Sequence, residues 1–139
     1  MKPVKNTTIL YMDDDGDDIE LLRDAFHSLD PAFRLLEASN GEEGLQKLHA
    51  LKQNGALPCL IVLDLNMPKL GGRETLRRIK EDGFLSKIPV VVFSTSDSEK
   101  DKGHFQREAV EYITKPVEYA LFLQAAKRLL NYCESQVQM

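Results

Sequence analysis

The stretch that decides the fold is Cys59-Leu60-Ile61-Val62-Leu63-Asp64-Leu65-Asn66-Met67-Pro68-Lys69-Leu70-Gly71-Gly72. Its first five residues are apolar without alternation, the pattern of a strand covered on both faces in a parallel sheet. The run stops abruptly at a carboxylate. A loop with one proline and two glycines follows, and Leu76 and Ile79 then recur at helical spacing. A buried strand that ends on an acid and feeds a helix is half of a βαβ unit.

The same grammar extends in both directions. Thr8 to Met12 is a strand-forming run that ends at Asp13-Asp14-Asp15, and a helix opens at Asp17 or Asp18 as N-cap. Its apolar face is Ile19, Leu22, Ala25, Phe26 and Leu29, and Pro31 ends it. Phe33 to Ala38 reads as a weak strand and Asn40-Gly41 as a turn. Leu45, Leu48 and Leu51 then stripe a second helix that Asn54-Gly55 closes. Beyond the third helix, Val90 to Phe93 is a second fully apolar strand, ending at Ser94-Thr95-Ser96. Glu99 to Arg107 is nearly all polar and contains Gly103, so a helix there is expected to be poorly anchored. Tyr112-Ile113-Thr114 forms a short last strand before Lys115-Pro116. Tyr119, Phe122, Leu123, Ala126, Leu129, Leu130 and Cys133 stripe the final helix. Five strands alternating with five helices predict an α/β domain, a doubly wound parallel sheet with right-handed crossovers.

Composition agrees with one globular unit. The chain has 139 residues, 42% hydrophobic and 29% charged, room for a single core. Eighteen Lys and Arg against 22 Asp and Glu leave a net charge of −4, the wrong sign for binding a phosphate backbone, so no nucleic-acid partner is expected. The apolar runs Leu60 to Leu63 and Val90 to Phe93 are far short of a membrane span, and Met1 to Thr8 has no signal-peptide core; a cytoplasmic protein without membrane contact is expected. Cys59 and Cys133 lie far apart in no metal-binding pattern, and in that compartment they are expected as two reduced, buried thiols.

In a doubly wound sheet the carboxyl ends of the strands share one edge, where ligands bind. The residues delivered there are Asp13-Asp14-Asp15, Asp64, Ser94-Thr95 and Lys115. Carboxylates gathered without compensation repel one another, so a cation is required. A hard divalent ion with one or two direct carboxylates and several waters is the Mg²⁺ pattern, with Lys115 as a second positive charge to pair with Asp64 or with an incoming anion. Asp15, Asp17, Asp18 and Glu20 read instead as turn and helix-start acids. The acidic run is no calcium loop, since its sixth position is Asp18 and its twelfth Asp24. Phosphate-loop, dinucleotide and serine-elbow motifs are absent, and His27, His49 and His104 share no motif spacing.

Taken in order, Asp13-Asp14, Leu63-Asp64-Leu65-Asn66-Met67-Pro68 with Gly71-Gly72, Ser94-Thr95, and Tyr112-Ile113-Thr114-Lys115-Pro116 resemble the receiver domains of two-component response regulators. The resemblance runs from about Thr8 to Tyr132. It implies a flavodoxin-like strand order 2-1-3-4-5. It also implies that Asp64 accepts a phosphoryl group from a histidine kinase or phosphotransfer protein. Asp14 and Asp64 would bind Mg²⁺ directly, with the Asn66 carbonyl as a further ligand and Asp13 acting through metal-bound water. Lys115 would pair first with Asp64 and then with phosphoryl oxygens, while Ser94, Thr95 and nearby backbone take the others. Ser94 and Tyr112 would form the switch, and Lys115-Pro116 resembles the family's cis bond. By the same resemblance, the first helix and the loop after Pro116 would meet the kinase. The face of the fourth helix, fifth strand and fifth helix would allow a homodimer.

The sequence departs from that pattern where Ala109-Val110-Glu111, without the family's common glycine, precedes Tyr112, and in the unusually polar helical segment before it. The expected organisation is a stand-alone receiver over 8–133, an extension 1–7 and a tail 134–139 with no effector domain: a signalling module, not an enzyme, with at most slow self-hydrolysis in which Asn66 and Ser96 flank the water. Two other functions compete. One is a Mg²⁺-dependent phosphohydrolase with Asp64 as nucleophile, which would want a second Asp where Asn66 stands. The other is a receiver-like interaction module that works unphosphorylated.

Overall fold

The computed structural model describes residues 6–96, 98–108 and 110–134. Strands and helices alternate: β1 (Thr8–Met12), α1 (Gly16–Leu29), β2 (Arg34–Ala38), α2 (Gly41–Gln53), β3 (Leu60–Leu63), α3 (Gly72–Glu81), β4 (Val90–Ser94), α4 (Glu99–Arg107), β5 (Glu111–Thr114) and α5 (Tyr119–Glu134). A short 3-10 turn at Leu85–Lys87, which the sequence did not announce, precedes β4. All neighbouring strands are parallel and their order is β2-β1-β3-β4-β5, a flavodoxin-like doubly wound sheet. Residues 1–5 of the expected extension, 135–139 of the expected tail, and Ala109 lie outside the described residues. No helix among the described residues is long and apolar enough to cross a membrane.

Side-chain alternation along each strand divides the core into two layers. Ile9, Tyr11, Leu60, Val62, Val91 and Phe93 face α1 and α5, against Leu22, Phe26, Phe122 and Leu129. Leu10, Met12, Ile61, Leu63 and Val92 face the other way, against Leu48, Leu76, Ile79 and Phe105. This explains why β3 and β4 are apolar throughout: both faces of each are covered, and every residue of both is buried.

Three expectations about helix caps and cysteines change. Asp15, not Asp17 or Asp18, caps α1, its carboxylate accepting from the backbone N–H of Asp17 and Asp18. Asn40 is a helix cap rather than a turn residue, its side chain accepting from Glu43 N–H at the start of α2. Cys59 and Cys133 are joined in a disulfide instead of standing as free thiols. The chain brings the start of β3 beneath the last turn of α5, leaving their Cα atoms 5.2 Å apart, a proximity that sequence separation cannot reveal. The polar α4 does form. Ser98 caps it by accepting from Asp101 N–H, and Phe105, its one buried residue, reaches the core.

Candidate functional site

Asp13 and Asp64 sit side by side because β1 and β3 pair in register, Met12 opposite Leu63. The ladder runs on past the last strand residues: Asp64 N–H donates to the Met12 carbonyl at 3.0 Å and Asp13 N–H to the Ala38 carbonyl at 3.0 Å. One carboxylate oxygen each from Asp13, Asp14 and Asp64 all lie within 4.8 Å of one another. Asp13 and Asp64 are buried, while Asp14 faces solvent.

The loop after β3 is folded tightly against its own beginning. Leu65 N–H donates to Asp64 Oδ1 at 2.9 Å, and Gly72 N–H donates to the Leu65 carbonyl at 3.0 Å. A Cβ on Gly72 would lie 2.5 Å from the Asp64 backbone carbonyl oxygen, so only glycine lets α3 start this close to the backbone after β3. Lys69 takes up the left-handed turn of this loop with φ 65°, an uncommon conformation for a side-chain-bearing residue. Asn66, in the same loop, is exposed.

Burial raises the Asp64 carboxyl to about 6, and the charge of Asp13 pushes the same way, against the opposing Lys115 charge and the Ser94 hydroxyl. Asp13 is more heavily engaged. Its Oδ2 accepts from the Tyr11 hydroxyl at 2.6 Å and from Lys115 Nζ at 2.6 Å, and its Oδ1 accepts from Asp15 N–H at 2.9 Å. Buried among these acids, the Tyr11 phenol is pushed far up and stays a donor. Three hard oxygen donors in one small cluster fit a divalent cation of the Mg²⁺ type.

Lys115 reaches the cluster from the end of β5, placed there by a bond from its N–H to the Ser94 carbonyl at 2.8 Å. Its side chain is only 6% exposed. The expected pairing with Asp64 is not the one observed: Nζ donates to Asp13 at 2.6 Å and to Asp18 Oδ2 at 2.8 Å, and Asp64 acts on it through charge. Burial disfavours the ammonium, but bonds to the two carboxylates outweigh it and hold the group above its ordinary value. No peptide bond among the described residues is cis, so Lys115-Pro116 departs from the expected form; ladder pairing with β4 is what turns the lysine inward.

Ser94 ends β4 fully buried, its Oγ accepting from Ser96 N–H at 3.3 Å, while Thr95 is exposed beside it. Ser96 Oγ donates to Asp101 at 3.1 Å. Tyr112 is half-buried. Its hydroxyl donates to the Ser96 carbonyl at 2.7 Å, and its ring packs 5.9 Å from that of Phe105. Sequence reasoning missed Asp18, taken for a helix-start acid, and Tyr11, taken for a plain strand residue. The available signal was spacing: Asp13 directly follows β1, two residues after Tyr11, and so falls on the same face.

The sequence matches the family model described as response regulator receiver domain over residues 9–127. It is 30% identical over 126 residues to the probable methanogenesis regulatory protein FilR2 of Methanothrix harundinacea, spanning 89% of this chain and 81% of that one. The structure is similar to that of the phosphorylated cyanobacterial phytochrome response regulator RcpA, with TM-score 0.84 and 33% identity over 96% of this chain and 99% of that one. It is also similar to the Mn(2+)-bound form of response regulator Rcp1, with TM-score 0.79 and 28% identity over 96% of this chain and 98% of that one.

Proposed function

The chain belongs to the response regulator receiver domain family of two-component signalling, and from that premise we propose that Asp64 accepts a phosphoryl group from a histidine kinase or phosphotransfer protein. The single observation that carries this reading is the convergence of Asp13, Asp14 and Asp64 within 4.8 Å at the mouth of a sheet that also delivers Lys115.

In the transfer, an Asp64 carboxylate oxygen attacks phosphorus. The P–N bond to the donor imidazole breaks, and the leaving nitrogen keeps the electron pair and takes up a proton. Asp64 must be ionised to act, and with its carboxyl raised only to about 6 it is largely so at neutral pH. Asp14 and Asp64 would hold Mg²⁺, with the Asn66 carbonyl joining them. Asp13, whose oxygens already accept three hydrogen bonds, would act on the ion through water. The ion, when bound, neutralises charge on the transferring group. Lys115 then offers a donor to the phosphoryl oxygens, with Ser94 and Thr95 as further contacts.

Movement of Ser94 towards the phosphoryl group would disturb the Ser94-Ser96 contact and, through the Ser96 carbonyl, the Tyr112 hydroxyl. The packing of α4 and β5 would shift with it, which is how partner binding is switched. The functional unit in this reading is 8–133, a signalling module with at most slow loss of its phosphoryl group.

The test is incubation with Mg²⁺ and acetyl phosphate followed by intact mass measurement. One labile phosphoryl addition is expected, absent in Asp64→Asn and with chelator. Turnover of p-nitrophenyl phosphate without accumulation would replace this reading with a phosphohydrolase, and complete inertness with an unphosphorylated interaction module.

A further inference from the structure

Asp18 lies in the first turn of α1, where an acid would ordinarily serve only the helix dipole. Its neighbours divide that work without it. Asp15 supplies the cap and Asp17 is exposed, whereas the Asp18 side chain is 28% exposed and turned onto Lys115, Oδ2 to Nζ 2.8 Å. We infer that Asp18 is a positioning residue for Lys115, an anchor on α1 that aims the ammonium at whatever group Asp64 carries. The inference rests on the reading of Asp64 as phosphoryl acceptor.

Donor count and rigidity assign Asp18 this part. An ammonium has three N–H donors. Asp13 takes one at 2.6 Å and Asp18 a second at 2.8 Å, leaving one for the Asp64 side of the pocket. Asp13 cannot aim the group alone, because a single bond leaves Nζ free to swing about it. Asp13 is itself pinned, fully buried and bound by the Tyr11 hydroxyl and Asp15 N–H. The second attachment, from a different element, removes that freedom. Nζ also lies 6.0 Å from the centre of the Tyr11 ring and 5.9 Å from that of Phe93, so aromatic walls confine the remaining approach. Catalysis by a charged donor depends on its being fixed before charge develops.

The experiment measures the rate of phosphoryl addition from acetyl phosphate, by intact mass, in the full chain and in Asp18→Asn and Asp18→Glu. In the reaction the Asp64 oxygen bonds to phosphorus and acetate leaves with the electron pair. Asp18→Asn, which keeps the shape and loses the charge, is expected to lower the rate at saturating Mg²⁺ about five- to tenfold, with half-saturating Mg²⁺ and acetyl phosphate within about twofold of the parent. Asp18→Glu is expected to recover at least about half of the rate. Three outcomes overturn the positioning role: an Asn variant within twofold of the parent, Asn and Glu variants equally slow, or a loss explained wholly by weaker Mg²⁺ saturation. A parent chain that gains no phosphoryl group on Asp64 overturns the acceptor reading itself, and the role of Asp18 with it. A normally labelled parent beside an unaffected Asn variant overturns the role of Asp18 alone.

Discussion

α5 and α4 cover opposite faces of the sheet and are held to it in opposite ways. α5 buries Phe122, Ala125, Ala126, Leu129, Leu130 and Cys133, a continuous apolar stripe, and its last turn is bonded to Cys59, the residue before β3. α4 buries Phe105 alone and otherwise depends on polar contacts: the Ser98 cap, the Ser96–Asp101 bond and the Arg73–Asp101 ion pair. Apolar burial is strong and indifferent to direction, whereas exposed polar contacts are individually weak and can be exchanged. The helix touching Tyr112, through Phe105, is therefore the one that can shift at low cost.

The largest test of that contrast is truncation of each anchor. Leu129→Ala is expected to cost about 2–5 kcal/mol of global stability, as fully buried leucines do. Phe105→Ala, although it removes a larger side chain, is expected to lower the global transition less. It should selectively expose α4 amides to hydrogen exchange, because α4 can detach without the rest. Equal global losses, with α4 and α5 losing protection together, would erase the distinction.

A perturbation at the end of β3 should spare the contrast. Folding holds the Asp64 carboxyl above its ordinary value, so the ionised group costs stability: the cost is absent below about pH 4 and complete above about pH 6. Asp64→Asn is accordingly expected to stabilise the Mg²⁺-free protein by about 1–3 kcal/mol at pH 7.5 and scarcely at pH 4, read by denaturant melts at both pH values. A gain independent of pH would mean that the charge is not the cause.

The smallest effect sharpens the picture of α4. Ser98→Ala removes the cap and is expected to cost about 1 kcal/mol, confined to α4 amides in hydrogen exchange and leaving α5 protection unchanged.

Much of the fold was legible because β3 and β4 are apolar on both faces, which only a sheet covered by helices on both sides satisfies. The meeting of Asp13, Asp64, Ser94 and Lys115 was legible for a related reason: the carboxyl ends of parallel strands must share an edge. α4 was hard to read because one phenylalanine in a polar stretch makes no periodic pattern. Asp18 was hidden by its position, a helix start where acids are ordinary.

Strand and helix order, the two-layer core and the edge that holds the carboxylates were fixed by local pattern, since periodicity and chain connectivity suffice to impose them. Which carboxylate each cation chooses was not: Lys115 reaches Asp13 and Asp18, and Cys59 meets Cys133, only because helices and strands distant in sequence stop at particular depths. Those depths depend on packing against the sheet, and partner choice between nearby groups turns on ångström distances that no linear spacing encodes.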